Sequence, residues 1–558
     1  MMKSGLCNCL ALFICLFFSC KKGGSNPAPP PPVTPPSFSF NSLKVNGVYN
    51  GFTYYNVKPS PVLKFSFSAP LNHSSVSSSL SFSDNTGATI SYTTSFENSD
   101  STVVIQPSSG LKPITKYVVG LSTNLQSSGG GSLQSALSVN LITAIDSTDK
   151  FPQVSDSALL TLIQQQTFKY FWDFGHPNAG MARERATSGD VVTTGGTGFG
   201  IMSILAGIQR NFISRTDGLT RITKIVSFLT NNAQRYHGAF SHWINGATGA
   251  TVPFGTQDNG GDIVETSYLM QGLLCARQYF ATANADEVTL RTNINNLWNA
   301  VDWNWYRQNN QNVLYWNWSP DYNWAINVKV GGWCEALITY VLAASSPTNA
   351  IPKAVYDNGW ARNGGMANGK SFYGIRLPLG PDIGGPLFFA HYSFLGIDPR
   401  GLSDAYADYW TQDTAHARIN YLYCVANPKH YNGYSASCWG LTASDEQGGY
   451  SAHAPDNDDG VITPTAAVAS LPYTPAESMN AIRFFYYTLG DKLWGGYGFI
   501  DAFNLTNIWF DGDFLAIDQG PEIVMIENYR SGLLWNLFMS CPEVKTGMKN
   551  LGFQGPGL

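Results

Sequence analysis

Residues 151–558 repeat one pattern, in which segments with helical periodicity alternate with long irregular loops. Eight segments have apolar residues at helical rather than strand spacing, at residues 157–172, 215–232, 262–280, 286–306, 332–344, 403–426, 475–489 and 521–539. Shorter candidates lie at residues 197–210, 385–395 and 463–471. The loops between them are rich in Gly, Trp, Asn and Asp and are far longer than a helical bundle needs. Helix pairs joined by alternately short and long loops predict an α/α toroid, a mainly α fold whose long loops surround a funnel on one face.

The composition of the chain favours a sugar ligand. All 15 Trp lie between Trp172 and Trp535, and they accompany 28 Tyr, 32 Phe and 55 Gly. Aromatic side chains on Gly-rich loops suit a neutral, polar, ring-shaped ligand, because such a ligand can stack on them. Only 13% of the 558 residues are charged and the formal net charge is −5, which argues against nucleic-acid binding because that needs clustered Lys and Arg. We therefore expect a saccharide partner, no nucleic acid, and a monomer.

The N-terminus predicts export. Lys3 precedes an apolar run at residues 10–18, which is too short to span a bilayer as a helix but fits the core of a secretory signal. Ser19 and Cys20 follow, and a Cys in this position resembles a bacterial lipobox, although the two Phe residues before Ser19 depart from its usual pattern. An ordinary cleaved signal is the alternative. We expect a signal peptide at residues 1–19, lipidation of Cys20, and an outer-membrane lipoprotein that faces the periplasm or the cell surface.

Two further segments precede the helical region. Residues 20–36 contain seven Pro, a composition typical of an extended, semi-rigid spacer. Residues 37–147 contain no Trp and many Ser and Thr. Short alternating runs lie at residues 62–67, 80–82, 101–105 and 117–121. These runs predict a small antiparallel β-sandwich, and residues 62–70 and 111–117 resemble bacterial Ig-like domains of the surface-layer type. Such a domain would act as a spacer or as a weak carbohydrate-binding module.

Several chemistries lack their sequence signals. The patterns G-x-S-x-G and G-x-G-x-x-G do not occur, so hydrolase elbows and dinucleotide sites lose their main evidence. His237 and His242 are five residues apart and form only a weak metal candidate. Residues 456–460 look like a calcium loop, but the Gly comes one position early and Ala467 occupies the position of the last ligand. We expect no metal and no cofactor.

Three carboxylates within eight residues form the first candidate catalytic site. Asp258, Asp262 and Glu265 surround the start of the predicted helix at residues 262–280. Asp262 as N-cap with Glu265 three residues later is close to a capping box, which stabilises a helix by about 1 kcal/mol without any catalytic role. Capping leaves Asp258 unexplained, and mutual repulsion would raise the pKa of at least one of the carboxyl groups, as a general acid requires.

Glu335 is the second candidate. The pattern puts it in the first turn of an apolar helix, beside Trp333 and Leu337. A favourable interaction with the helix macrodipole is one explanation. The other is a carboxyl group in an aromatic, poorly hydrated wall, where desolvation favours the protonated form. Glycosidic cleavage needs such a group to protonate the leaving oxygen, and a second carboxylate to activate water or attack carbon.

Further loops contain candidate sugar contacts, which combine aromatic rings with charged groups. The candidates are Trp243, Trp333, Arg376, Asp382, Trp439, Asp445, Asp518 and Glu522. The Trp rings would stack on sugar rings, and the charged groups would bind hydroxyls. Asp518 and the nearby Pro521 are also ordinary features of a helix start, so each loop alone is a weak signal.

Four runs of residues resemble one family. Residues 331–337, 373–399, 438–445 and 518–537 are similar to the glycoamylase-like domain of bacterial lipoproteins, and more narrowly to glycoside hydrolase family 144, the endo-β-1,2-glucanases. The resemblance implies an (α/α)6 toroid over residues 151–558. It also implies hydrolysis of β-1,2-glucan with inversion and without a metal, releasing sophorooligosaccharides.

The acidic motif of that family matches Asp258, Asp262 and Glu265 here, and its helix-start glutamate matches Glu335. We assign Glu335 as the general acid and Asp262 as the group that activates water, with Asp258 and Glu265 orienting the pair. Inversion requires the two carboxyl groups to lie about 6.5–9.5 Å apart. Two alternatives stay open, a non-catalytic glycan-binding lipoprotein and a hydrolase of a different glucan linkage.

Overall fold

The computed structural model describes residues 37–558, so the predicted signal peptide, Cys20 and the Pro-rich spacer lie outside the described residues. A small β-domain at the N-terminal end of this range is followed by a larger helical domain. Among the described helices, none combines the length and apolarity needed to cross a membrane.

The N-terminal domain is a sandwich of two four-stranded sheets. Its elements are β1 (Phe40–Val45), β2 (Thr53–Val57), β3 (Leu63–Phe67), α1 (His73–Ser79), β4 (Leu80–Asp84), β5 (Tyr92–Glu97), β6 (Thr102–Pro107), β7 (Lys116–Leu121) and β8 (Leu137–Thr143). The sheets have the strand orders β1-β3-β6-β5 and β2-β8-β7-β4. Along β3, Leu63, Phe65 and Phe67 are buried whereas the residues between them are half-buried, which is the alternation expected of a sandwich strand. The predicted sandwich is confirmed, except that β2 pairs with β8 in parallel.

The helical domain contains long helices and several short ones. They are α2 (Asp156–Trp172), α3 (Thr194–Gln209), α4 (Arg215–Asn231), α5 (Ile263–Tyr279), α6 (Ala285–Ala300), α7 (Leu337–Ser345), α8 (Lys353–Val355), α9 (Tyr409–Ala426), α10 (Pro464–Ala469), α11 (Pro475–Arg483), α12 (Gly490–Leu493), α13 (Ala516–Ser531), α14 (Leu533–Met539) and α15 (Pro542–Leu551). Three 3₁₀ turns, Arg362–Gly364, Leu387–Ala390 and Ser393–Leu395, lie between α8 and α9.

Short β-strands, paired in small sheets, lie in the connections between the helices. These strands are β9 (Val191–Thr193), β10 (Trp243–Asn245), β11 (Thr251–Val252), β12 (Gly261–Asp262), β13 (Leu314–Tyr315), β14 (Asn317–Trp318), β15 (Lys329–Val330), β16 (Ser371–Phe372), β17 (Ile375–Arg376), β18 (Ala443–Glu446), β19 (Gly449–Ala452), β20 (Trp494–Gly495), β21 (Gly498–Phe499), β22 (Phe503–Asn504) and β23 (Trp509–Phe510). The long loops of the sequence are therefore ordered by β-pairing.

The buried helices close into an inner ring. Helix α3 packs on α5, α5 on α7, α7 on the turn Ser393–Leu395, α10 on α13, and α13 back on α3. A hydrogen bond of 3.0 Å between His391 Nε2 and the Ser470 hydroxyl links the 3₁₀ turns to the end of α10. Helices α2, α4, α6, α11 and α15 pack outside this ring. The predicted α/α toroid is thus confirmed.

Two glycines set the distance between α3 and α5. A Cβ atom at Gly198 would lie 2.1 Å from the Tyr268 carbonyl oxygen, and one at Gly272 would lie 2.2 Å from the Gly198 carbonyl oxygen. Any larger residue would push the two helices apart, because real Cβ contacts are never this short. The close approach brings the first turn of α5 against the start of α3, where the site described below is built.

Some helix boundaries differ from the prediction. The predicted helix at 332–344 begins only at Leu337, so Glu335 lies in a turn before α7 and not in its first turn. The predicted helix at 521–539 begins earlier and is split in two by Gly532, whose left-handed φ of 68° ends α13. Residues 385–395 form 3₁₀ turns in place of a helix, and α15 lies in a segment for which no helix was predicted.

Candidate active site

A cavity of about 440 Å³ opens at the N-terminal ends of the inner helices. Its lining combines acidic and aromatic side chains, namely Glu184, Glu265 and Glu335 with Trp243, Phe254, Tyr268, Trp316, Phe388, Tyr392 and Tyr450. Thr193 before α3 and Leu515 before α13 also line it. The residues thus come from loops far apart in sequence, which the closed ring brings to one face.

Glu335 is half-buried and opens into this cavity. Burial raises the pKa of Glu335 to about 7, and the charges of Glu265 and Asp262 add to the effect, against the hydrogen bond from its own backbone N–H. The turn that carries it is held by the Ser393 hydroxyl, which donates to the Glu335 carbonyl oxygen. A carboxyl group with this pKa keeps its proton over much of the neutral range and can donate it to a departing oxygen.

Glu265 lies in the first turn of α5 and is fixed against the start of α3. Its Oε2 atom accepts a hydrogen bond of 2.7 Å from the backbone N–H of Gly195, and the Thr193 hydroxyl lies 3.5 Å away. Burial raises the pKa of Glu265, whereas the nearby His242 ring lowers it. The helix N-terminus and the imidazolium both favour the ionised carboxylate, but burial is the larger effect, and the pKa of Glu265 is raised above its usual value.

Asp262 is a helix cap and does not line the cavity. Its Oδ1 accepts hydrogen bonds of 2.9 Å from the backbone N–H groups of Val264 and Glu265. Its Oδ2 accepts from Trp316 Nε1 at 3.2 Å and from His242 Nδ1 at 3.1 Å. All four lone-pair positions of the carboxylate are therefore used, and none is left for a substrate water. The assignment of Asp262 as the water-activating group does not fit this arrangement, and the capping interpretation explains the residue.

His242 completes the acidic cluster, and the sequence analysis treated it only as a weak metal ligand. Burial lowers the pKa of His242, but Glu265, Asp262 and Asp258 more than offset this and raise it to about 9. The ring is therefore an imidazolium at neutral pH. It stacks on Phe254 with ring centroids 4.1 Å apart, whereas His237 stacks on Trp305.

Asp258 lies just outside the cavity lining. Its side chain is half-buried, and burial together with the charge of Asp262 raises its pKa, against a hydrogen bond with the Asn317 side chain and the charge of His242. Asp258 therefore belongs to the same electrostatic cluster as Glu265 and His242, but its side chain is not part of the cavity lining.

The opposite wall carries an ion pair that the sequence analysis missed. Arg185 Nε lies 3.0 Å from Glu184 Oε2, and Arg185 Nη1 lies 2.8 Å from Asp445 Oδ2. Asp445 is thus held behind Arg185 and does not line the cavity. The only sequence signal was the charged run at residues 183–185 in a charge-poor chain.

Asp518 and Glu522, predicted as sugar contacts, lie inside the protein. Asp518 is 4% exposed and Glu522 is fully buried in α13. Burial raises the pKa of Asp518 to about 7 and that of Glu522 to about 8. Glu522 accepts a hydrogen bond of 3.2 Å from the Thr167 hydroxyl. Neither side chain lines the cavity, and direct contact of either with a sugar stays a prediction.

Of the remaining predicted contacts, Trp243 lines the cavity, whereas Trp333, Arg376, Asp382 and Trp439 do not. Trp439 is fully buried and donates to the Glu477 carbonyl oxygen, and Trp333 is 4% exposed and donates to His416 Nδ1. Arg376 lies on the exposed strand β17, and Asp382 pairs with Lys370 at the surface. Most Trp side chains of a toroid pack between its helices, so the residue type alone does not indicate contact with a ligand.

The comparisons with known proteins agree with this architecture. The glycoamylase family model matches residues 327–542, and a bacterial Ig-like domain model matches residues 46–143. A solved structure of endo-β-1,2-glucanase from Chitinophaga pinensis is 53% identical, with a TM-score of 0.71 over 73% of this chain and 100% of that one. A solved β-1,2-glucanase from Parabacteroides distasonis is 38% identical, with a TM-score of 0.70 over 93% of this chain and 74% of that one.

A curated relative adds a second named activity. The exo β-1,2-glucooligosaccharide sophorohydrolase of Parabacteroides distasonis is 48% identical over 420 residues, which are 71% of this chain. The match spans 58% of the length of that relative. Full-length coverage of the Chitinophaga protein at 53% identity, together with the toroid and its acidic cavity, decides the family. The chain belongs to the bacterial glycoamylase-like family, in the group of glycoside hydrolase family 144.

Proposed function

We propose that this protein hydrolyses β-1,2-glucan, with Glu335 as the general acid that protonates the departing glycosidic oxygen. The observation that carries the proposal is Glu335 itself, a carboxyl group with a pKa of about 7 that opens into an aromatic cavity. The names of the Chitinophaga and Parabacteroides relatives support the substrate. Trp243 and Trp316 offer faces for sugar rings, and the buried Tyr268 hydroxyl has no hydrogen-bond partner among the described residues.

The water-activating group has two candidates, Glu265 and Glu184, because both carboxylates line the cavity beside Glu335. Glu265 has one oxygen fixed by the Gly195 N–H, which would orient the other. Glu184 lies on the wall held by Arg185. An aryl β-sophoroside with a good leaving group distinguishes the general acid from the general base, because this leaving group departs without being protonated. Glu335→Gln should retain activity on this substrate, whereas the Gln variant of the base should lose it along with glucan hydrolysis.

The main test is incubation of the purified mature protein with a panel of linkage-defined glucans, followed by chromatography of the products. We expect oligosaccharides from linear β-1,2-glucan, and their release should be far slower after Glu335→Gln. A protein that binds this glucan but releases nothing would be the non-catalytic glycan binder. If only a glucan with another linkage gave products, the proposed substrate would be wrong, whereas the proposed hydrolytic mechanism would stand. The anomeric configuration of the first product, followed by NMR, tests inversion.

We also propose endo action, by similarity to the Chitinophaga enzyme. The match covers the whole length of that enzyme. The curated Parabacteroides relative is named as an exo enzyme, so the product pattern decides. A ladder of chain lengths at early times supports endo action. Sophorose as the sole early product contradicts it.

We also propose that the protein is exported as an outer-membrane lipoprotein anchored through Cys20, and that it is a monomer. The N-terminal sequence alone supports export and anchoring. Labelling of cells with a radioactive fatty acid should mark the wild-type protein and leave Cys20→Ala unmarked. Equal labelling of both contradicts lipidation and favours the ordinary cleaved signal. Sedimentation of the soluble mature form tests the monomer.

A further inference from the structure

A second aromatic surface lies next to the cavity and is not part of its lining. We call it the aromatic platform, and it consists of Trp305, Trp318 and Trp324. The ring centroid of Trp305 lies 5.8 Å from that of Trp318 and 6.4 Å from that of Trp324. Trp305 is 38% exposed, and the other two rings are half-buried. Large exposed aromatic side chains grouped at one place are unusual on a protein surface and indicate a binding site.

His237 holds the platform in place. Its ring stacks on Trp305 with centroids 3.6 Å apart and an interplanar angle of 12°, and it contacts Trp318 edge-on at 5.0 Å. The His237 backbone has a φ of 51°, in the left-handed region that residues other than Gly adopt at a cost. The chain therefore accepts a strained conformation at the residue that braces Trp305, and such strain is concentrated at functional sites.

One short strand connects the platform to the cavity. Trp316, just before β14, lines the cavity and donates to Asp262, whereas Trp318 at the end of β14 belongs to the platform. Strand β14 pairs with β12, with Asp262 opposite Asn317. Trp318 is only two residues from Trp316 along the chain. A ligand that extends out of the cavity past Trp316 therefore reaches the platform at once.

The border of the platform is polar and suits hydroxyl groups. The Ser319 hydroxyl donates to Asn259 Oδ1, and Asn259 Nδ2 donates to Asp321 Oδ2, both at 2.6 Å. Tyr322, on the same loop, is 43% exposed. Aromatic faces bordered by amide, hydroxyl and carboxylate groups suit the alternating apolar and hydroxylated surfaces of a sugar chain better than an apolar protein surface.

We propose that the aromatic platform is an accessory binding site for the segment of a β-glucan chain that extends beyond the cavity. The proposal rests on the proposed function for the identity of the glucan. The platform would let the protein hold a long chain while a short part of it occupies the cavity. Substrates too short to reach Trp305 gain nothing from it.

The test compares long and short substrates with the full mature protein. Trp305→Ala should raise KM for polymeric β-1,2-glucan several-fold and leave kcat unchanged. The same variant should hydrolyse the shortest cleavable oligosaccharide with wild-type kcat and KM, which also reports that the fold and the cavity are intact. Trp305→Phe should restore most of the affinity for the polymer, because it keeps a ring. Tyr529→Ala is the matched control, since Tyr529 is an equally exposed aromatic residue (45%) on α13.

Equal KM values for wild type and Trp305→Ala on the polymer would overturn the proposal. A parallel loss on polymer and short substrate would do so too, because it would assign Trp305 a structural role. Electrophoresis in gels that contain β-1,2-glucan separates this proposal from the proposed function. If the wild-type protein cleaves nothing but is retarded in the gel, and Trp305→Ala is not retarded, the proposed hydrolase function is contradicted. The same result would support the proposed binding role of the platform.

Discussion

The Oε2 atom of Glu265 accepts a hydrogen bond of 2.7 Å from the backbone N–H of Gly195, and this contact joins α5 to the start of α3 at the floor of the cavity. It offsets part of the cost of burying the Glu265 carboxylate close to Glu335. Burial is the main cause of the raised pKa of Glu335 and the charge of Glu265 adds to it, so the contact at the start of α3 contributes to the protonation of a residue 70 positions beyond Glu265.

Gly195→Ala tests this relationship directly. The new Cβ would lie 2.6 Å from Glu265 Oε2 and 2.8 Å from Tyr268 Cδ2, so the Glu265 carboxylate has to move. We expect kcat to fall by about 10²-fold while the fold is retained, because small displacements of catalytic groups have effects of this size. The control is Gly496→Ala, whose Cβ would meet no atom within 4 Å. Wild-type kcat in Gly195→Ala would refute the coupling.

Glu335→Gln removes the proton that the mechanism donates. We expect kcat on β-1,2-glucan to fall by about 10²–10⁴-fold, the usual contribution of general acid catalysis. Circular dichroism and the melting temperature should stay close to those of the wild type. Near-normal turnover in this variant would exclude Glu335 as the acid.

The pH dependence follows from the raised pKa of Glu335. The group donates only when protonated, so kcat should fall as pH rises through about 7. This falling limb should be absent from the residual activity of Glu335→Gln. A wild-type profile that is flat from pH 6 to about 9 would contradict the assignment.

The free energy of unfolding should also depend on the protonation of Glu335, and this contribution should decrease as pH rises. The folded pKa of Glu335 is raised from 4.5 to about 7, so the folded state binds the proton more tightly than the unfolded chain. Its contribution to the free energy of unfolding therefore decreases as pH rises from 4.5 to about 7. Relative to the wild type, Glu335→Gln should gain stability between pH 5 and about 8, by roughly 1–3 kcal/mol. A constant difference in melting temperature across this range would contradict the pKa shift.

The variant Asp262→Asn distinguishes a helix-capping role of Asp262 from a role as catalytic base. The amide can accept the two backbone hydrogen bonds with its oxygen, but its NH₂ group then faces the donors of Trp316 and His242. We expect a loss of about 1–3 kcal/mol in the free energy of unfolding, measured by urea denaturation. Residual activity should stay well above that of Glu335→Gln. The matched control is Asp286→Asn, at an exposed position. Undiminished stability with abolished activity would restore the catalytic role of Asp262.

Local patterns predicted the helices well and the individual contacts poorly. Helical spacing found α2, α4 and α5 nearly to the residue, because a buried face repeats along each helix. Glu335 and Glu265 were recognised because acidic groups in an apolar, charge-poor chain need an explanation. Trp439 and Trp243 could not be told apart, since a Trp that packs between helices and one that faces a ligand have similar neighbours in sequence.

The sequence alone indicates the order of a β-rich domain and a domain of paired helices, and it predicts an export signal before them, because periodicity and composition are local properties. The identity of the cavity residues is not. Glu184, His242, Tyr268 and Tyr450 meet Glu335 only because the inner helices close into a ring that brings their N-terminal ends to one face. The raised pKa of Glu335 likewise depends on desolvation and on charges from α5, and such effects exist only after distant parts of the chain have packed together.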